Sequence, residues 1–245
     1  MKKPIKIHTK TIIFIFPIIY IILFLSIKIA LPNTYTLIIQ EDSIIEYIQA
    51  FLYFFSSILA LIISTRFISN RFILHGTLYL ILFAGLLFVS IEEISWGQRI
   101  FNIETPQYLN NKNSQNEITI HNLRPVQTHL QKAYILIGLY GTFGCLFMRN
   151  IKTKSDNIIN YVIPECFISP YFFAVLLVYA YFSFISPFGV NTLGIDKFKV
   201  GEFVIWRDQE PAELLLSLGF FVFTITNHIK SKIMCQTLLS NRVES

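Results

Sequence analysis

Six runs of apolar residues, each close to the roughly 20 residues a helix needs to cross a bilayer, constrain this chain more than any other feature. They cover residues 12–31, 44–64, 72–91, 130–148, 166–187 and 211–228. In hydrocarbon every backbone N–H and C=O must be satisfied within its own segment, so such runs can only be helices. The expected fold class is therefore all-α: a polytopic transmembrane helix bundle of about six spans, with a long extracytoplasmic loop between spans 3 and 4. Composition agrees, since 53% of the 245 residues are hydrophobic and only 14% are charged, against about 25% charged in ordinary soluble domains. Too little chain remains outside the spans for a second globular unit, so residues 1–245 read as a single membrane-embedded domain.

Basic residues beside the spans set the expected orientation. Lys2, Lys3, Lys6 and Lys10 precede the first span, and Arg66 and Arg71 join the second to the third. Arg149, Lys152 and Lys154 follow the fourth, and Lys230, Lys232 and Arg242 follow the last. Every second connection is basic, which puts both termini in the cytoplasm. The membrane is expected to be a bacterial cytoplasmic (inner) membrane, in keeping with a chain rich in Ile, Asn and Lys. On this topology all carboxylates except Asp156, Glu165 and Glu244 fall on the outer side. The net charge of +5 thus belongs to membrane orientation, and no nucleic-acid partner is expected. The first span reads as a retained anchor, its apolar run being too long for a signal peptide. Lys28, near its outer end, can snorkel to the interface or meet an outer carboxylate. Cys145, Cys166 and Cys235 show no CxxC spacing, so neither a disulfide framework nor a zinc knuckle is expected.

The outer acids gather in four groups. Glu41, Asp42 and Glu46 begin the second span, Glu92 and Glu93 end the third, and Asp208, Glu210 and Glu213 begin the sixth. The long loop adds Glu117, His121 and His129. The positive end of a helix dipole favours an acid by roughly 0.3–1 kcal/mol, which accounts for Asp42 and Glu210. It does not account for Glu46 and Glu213, one turn deeper, where charge becomes costly. Adjacent Glu92 and Glu93 repel and can share a proton, which suits a general base. His121 is then an acid, base or ligand, and Arg99 an anion clamp. Glu46, Trp96, Gln98, Glu117, Asn122 and Glu213 are the expected ligand-binding set. Glu117 and His121 share a face whether their segment is strand or helix. Metal ligation is a second possibility: His121, His129 and Glu93 offer donors that zinc or manganese accepts, although no HExxH motif is present. A third is a purely structural network, in which Arg99, Arg124, Lys132 and Arg207 neutralise the acids.

The run Glu92-Glu93-Ile94-Ser95-Trp96-Gly97-Gln98-Arg99, followed by Glu104-Thr105-Pro106, by Asn113-Ser114-Gln115-Asn116-Glu117 and by His121-Asn122-Leu123, resembles the signature of a family of uncharacterised multi-pass bacterial membrane proteins. Glu41-Asp42 with Glu46-Tyr47 resembles that family's acidic start of the second helix. The resemblance covers about the first half of the chain and implies a common polar site without naming its chemistry. Two functional classes follow. One is a hydrolase or transferase acting on a lipid-linked or envelope substrate from the bilayer. The other is a non-enzymatic transporter, ion- or proton-binding or accessory protein whose acids form a salt-bridge network.

Overall fold

The structure, a computed structural model, describes residues 5–40, 43–101, 103–107, 118–121, 123–148, 157–185 and 206–243. Among them the secondary structure is helical, without strands. In chain order the helices are α1 (Ile7–Ala30), α2 (Pro32–Ile39), α3 (Ile44–Ser69), α4 (Ile73–Glu93), α5 (Gln98–Phe101), α6 (Arg124–Met148), α7 (Ile159–Val162), α8 (Ser169–Ala180) and α9 (Glu210–Val243). Among the described residues five segments are long and apolar enough to cross a membrane: Ile7–Ala30, Ile44–Ser69, Ile73–Glu93, His129–Phe147 and Arg207–Thr237. The chain therefore has the make-up of a membrane protein.

Three boundaries differ from the sequence expectation. The expected span at 166–187 is a shorter apolar helix, because residues 165–168 form a turn and Pro170 suits only a helix's first positions. Its last turn widens into a π-turn, Tyr181–Ile185. Helix α6 starts at Arg124 rather than near residue 130, with Pro125 in its first turn, which shortens the loop before it. Helix α9 runs on past residue 228 because no Gly or Pro stops it and Met234 and Cys235 find a buried cluster with Ile63 and Phe67.

Helix α3 is central and packs against both α4 and α9, while α6 lies on α8 and α8 on α9. Inside the bundle, serines link α3 to α4. The hydroxyl of Ser64 donates to the Gly76 carbonyl at 2.7 Å and that of Ser90 to the Ala50 carbonyl at 2.8 Å. Such hydrogen bonds hold helices together where lipid removes the usual hydrophobic drive. Helices α6 and α8 approach so closely that a Cβ at Gly141 would lie 2.1 Å from the Phe172 ring. By contrast α1 buries only Pro17 and Tyr20.

Ion pairs define the two ends. At one, Glu165 accepts from Lys10 at 2.7 Å and from Lys230 at 3.0 Å, and Arg66 donates to the His228 carbonyl and the Ser231 hydroxyl at 2.9 and 2.6 Å. At the other, Lys28 is bound to Asp208, which also accepts from the Tyr35 hydroxyl at 2.8 Å. Of the two roles open to Lys28, the structure selects the carboxylate partner. Burial first, then the bond to Asp208, pushes the Tyr35 hydroxyl well above its usual range and keeps it a donor.

The cysteine expectation is corrected. Cys145 and Cys166 form a disulfide with their Cα atoms 5.2 Å apart, at the same end of the bundle as Glu165. Spacing could not show this pair, because the end of α6 and the turn before α8 meet only in the folded chain.

Burial favours the neutral form of Glu165, but Lys230 and Lys10 outweigh it and hold its carboxyl below the usual range. Stability from this group is therefore present above the ordinary carboxylate pKa and lost as pH falls through the lowered value. Glu165→Gln should lower the thermal midpoint at neutral pH, each partly exposed pair contributing at most about 1 kcal/mol. The difference from wild type should be constant between about pH 6 and 8 and shrink below about pH 4, as read by scanning calorimetry in detergent.

Candidate functional site

Helix α4 ends in a left-handed turn. Ser95, Trp96 and Gly97 have φ of 49°, 55° and 74°, a region that costs non-glycine residues about 1–3 kcal/mol each. At Gly97 a Cβ would in addition lie 3.0 Å from the Phe101 ring. The turn folds Trp96 back over the helix, where its indole N–H donates to Glu92 Oε1 and its ring meets Phe88 edge-on. The other oxygen of Glu92 accepts from the backbone N–H of Ile120 and of His121 at 2.8 and 3.0 Å, and lies 3.1 Å from His121 Nδ1. Only 3% exposed, Glu92 is the anchor on which the loop is tied. Both Glu92 oxygens act as acceptors, so a neutral His121 meets Oε2 through Nδ1–H and leaves Nε2 open as an acceptor.

Gln98 makes a second tie. Its Nε2 donates to the Thr105 hydroxyl at 2.6 Å and its Oε1 accepts from the Ile118 N–H at 2.8 Å. Gln98 thus directs its hydrogen bonds to the loop, whereas Trp96 bonds back to Glu92 on α4.

Beside His121 lies a cavity of about 170 Å³. Its walls carry Glu46 from α3, Glu93 from α4 and Glu210 and Glu213 from α9. Glu213 accepts from the Tyr179 hydroxyl and, at 3.4 Å, from that of Tyr134; the two rings stack with centroids 4.2 Å apart. Arg207 stands 3.9 Å from both Glu46 and Glu210, and Gln49 reaches the Glu210 carboxylate at 3.4 Å. Glu93 makes no hydrogen bond or ion pair among the described residues, and across the cavity it feels Glu213, Glu210 and Glu46. Gln209, 8% exposed, lines the cavity with no partner for its Nε2.

Glu46, Glu92, Glu93, His121 and Glu213 are therefore brought together. His129 is not: it is an exposed residue of α6 away from the cavity lining. Among the described residues no group of three His, Cys, Asp or Glu side chains could hold a metal ion, and of the expected metal set only His121 and Glu93 border the cavity. The histidines of that set sit on separate surfaces, one on the loop and one on the helix. Glu117, Asn122 and the side chain of Arg99 lie outside the described residues. Sequence reasoning missed Tyr134, Tyr179, Gln209, Gln127 and Gln131. A signal existed for three of these: Gln127, Gln131 and Tyr134 follow at i, i+4 and i+7, one face of a helix. Glu210, attributed above to the helix dipole, proves to be a wall of the cavity as well.

Comparison with family models, with curated proteins and with solved structures finds no match to this chain.

Replacing Glu92 by Gln removes the charge and turns one acceptor into a donor facing two N–H groups. Bonds to a charged group contribute about 1.5–3 kcal/mol, so the thermal midpoint should fall clearly. The amides of Ile120 and His121 should lose their protection from hydrogen exchange. Glu104→Ala, an exposed site, should change neither; full protection in Glu92→Gln would refute the anchoring role.

Proposed function

We propose that this chain is a membrane-embedded enzyme, a hydrolase or transferase, whose acid–base site acts on a lipid-linked or envelope substrate. The observation that supports it most is His121, oriented by the buried carboxylate of Glu92 at the rim of a cavity walled by Glu93 and Glu213. In this reading His121 Nε2 takes a proton from the attacking group, and Glu92 keeps the imidazole in the required tautomer and stabilises its charged form. Glu93, across the cavity, exchanges a proton with the leaving group, while Tyr134 and Tyr179 hold Glu213 in place.

One observation favours a second reading, binding of a cation or proton without chemistry: carboxylates dominate the cavity wall, and Arg207 approaches them only to 3.9 Å. Turnover separates the two. Purified protein reconstituted with an envelope lipid extract should yield new products by mass spectrometry. His121→Ala and Glu93→Gln should each reduce them by at least about 100-fold, the scale of general acid–base catalysis, with little change in thermal midpoint. Product profiles identical across wild type and both variants would leave only the binding role.

In this reading the acidic end lies outside a bacterial cytoplasmic membrane that the chain crosses about six times, with both termini in the cytoplasm. Lys10, Arg66 and Lys230 at the opposite end support this orientation. So does α8, which runs from the Cys166 end to Tyr179 at Glu213. Membership of the multi-pass family named above is part of the same proposal. In this orientation Cys145 and Cys166 face a reducing compartment. The orientation therefore predicts that the Cys145–Cys166 pair is found as two alkylated thiols when intact cells are quenched before lysis. A disulfide already present at that first quench would reverse the orientation.

A further inference from the structure

Helices α4 and α6 both line the acid–base cavity. These two helices flank it but barely touch each other. Below it, between the same helices, lies an apolar groove of about 350 Å³, to which α4 contributes Leu78 and Leu82 and α6 Ile137 and Tyr140. Its lower end is closed where the hydroxyls of Tyr79 and Tyr140 donate to the carbonyls of Tyr161 and Val162, at 2.7 and 2.9 Å.

On α4, Gly85 lies between the residues that line the groove and those that line the cavity, and itself lines neither. On α4 the groove residues 78 and 82 and the cavity residues 89 and 92 lie seven and three or four residues on either side of it, on one helical face. A Cβ at Gly85 would meet nothing within 4 Å. From Leu78 to Glu92 this face extends about 20 Å at 1.5 Å per residue, room for an extended chain of palmityl length.

We infer that groove and cavity form one binding track for a single-chain amphiphile that enters laterally from the bilayer between α4 and α6, its hydrocarbon chain beside Gly85 and a protonated amine among the glutamates. The head is assigned from the walls. Glu46, Glu93, Glu210 and Glu213 offer acceptors to an ammonium group, and for Glu93, which makes no hydrogen bond or ion pair among the described residues, such a group offsets a charge that is costly there. The buried Nε2 of Gln209, which has no partner among the described residues, calls for an acceptor oxygen beside that amine. The inference rests on the acid–base site proposed above and specifies its substrate class.

The probe is the palmitate ester of ethanolamine carrying a photoreactive diazirine at the chain end, applied to the full-length protein in detergent. Irradiation should label residues 78–82 and 137–140. Unlabelled probe should compete, and ethyl palmitate, which has the same chain and ester but no charge, should not. Gly85→Leu should cut labelling by about tenfold or more with an unchanged thermal midpoint, since the side chain grows into open space. Ile137→Trp plugs the track from the opposite wall and decides the matter should Gly85→Leu fold poorly. Labelling that survives both plugs, or that ethyl palmitate abolishes, overturns the inference. These outcomes do not depend on turnover: loss of labelling in the plugged variants alongside inactive wild-type protein would sink the enzyme and keep the track.

Discussion

Hydrocarbon does not tolerate uncompensated charge, and nearly every polar contact in this structure follows from that constraint. The ionisable residues collect at the two ends of the bundle, and there most of them meet a partner: Lys28 and Tyr35 on Asp208, Lys10 and Lys230 on Glu165, Arg66 on backbone and hydroxyl oxygens. Between the two ends, polar side chains bond mainly to helix carbonyls, as Ser64 and Ser90 do. Against this rule the acid cavity is conspicuous. Its carboxylates are drawn from three helices; two tyrosines hold Glu213 and the returning loop holds Glu92, while Glu93 makes no hydrogen bond or ion pair among the described residues.

The adjacent glutamates divide the work. Glu92 is satisfied by the protein, taking one indole and two backbone donors along with the imidazole of His121. Glu93, the next residue, lies about 100° further round the helix and is turned to the cavity instead. The strained turn at Ser95 to Gly97 is what makes this possible, because it reverses the chain so that the loop returns over the end of α4. Its conformational cost is offset by the charge-assisted bonds to Glu92 and by the Gln98 ties, bonds of a kind that contribute about 1 kcal/mol or more each. Most of the Glu-Glu-Ile-Ser-Trp-Gly-Gln run is thus a device for holding one histidine at the mouth of one cavity.

Much of the architecture was legible in the sequence, because length and apolarity alone decide whether a segment can be a spanning helix. Five such helices appear near the expected places. The boundaries that moved did so for local reasons: Pro125 and Pro170 set helix starts, and the absence of a breaker let α9 run to Val243. The prominence of Glu46, Glu93, His121 and Glu213 was also legible, since acids one turn inside an apolar helix are expensive enough to ask for a reason.

What the sequence determined by itself was therefore the helical class and the segregation of charge, both properties of single segments in a solvent that penalises polar groups. Which partner each group found was decided only by tertiary structure. Nothing local distinguishes Glu92, enclosed by a loop some 30 residues on, from Glu93, facing helices that arrive from both halves of the chain. The separation of His129 from His121, the Cys145–Cys166 bond and the open space at Gly85 share that origin. Each depends on the distance between groups remote in sequence, and packing sets that distance.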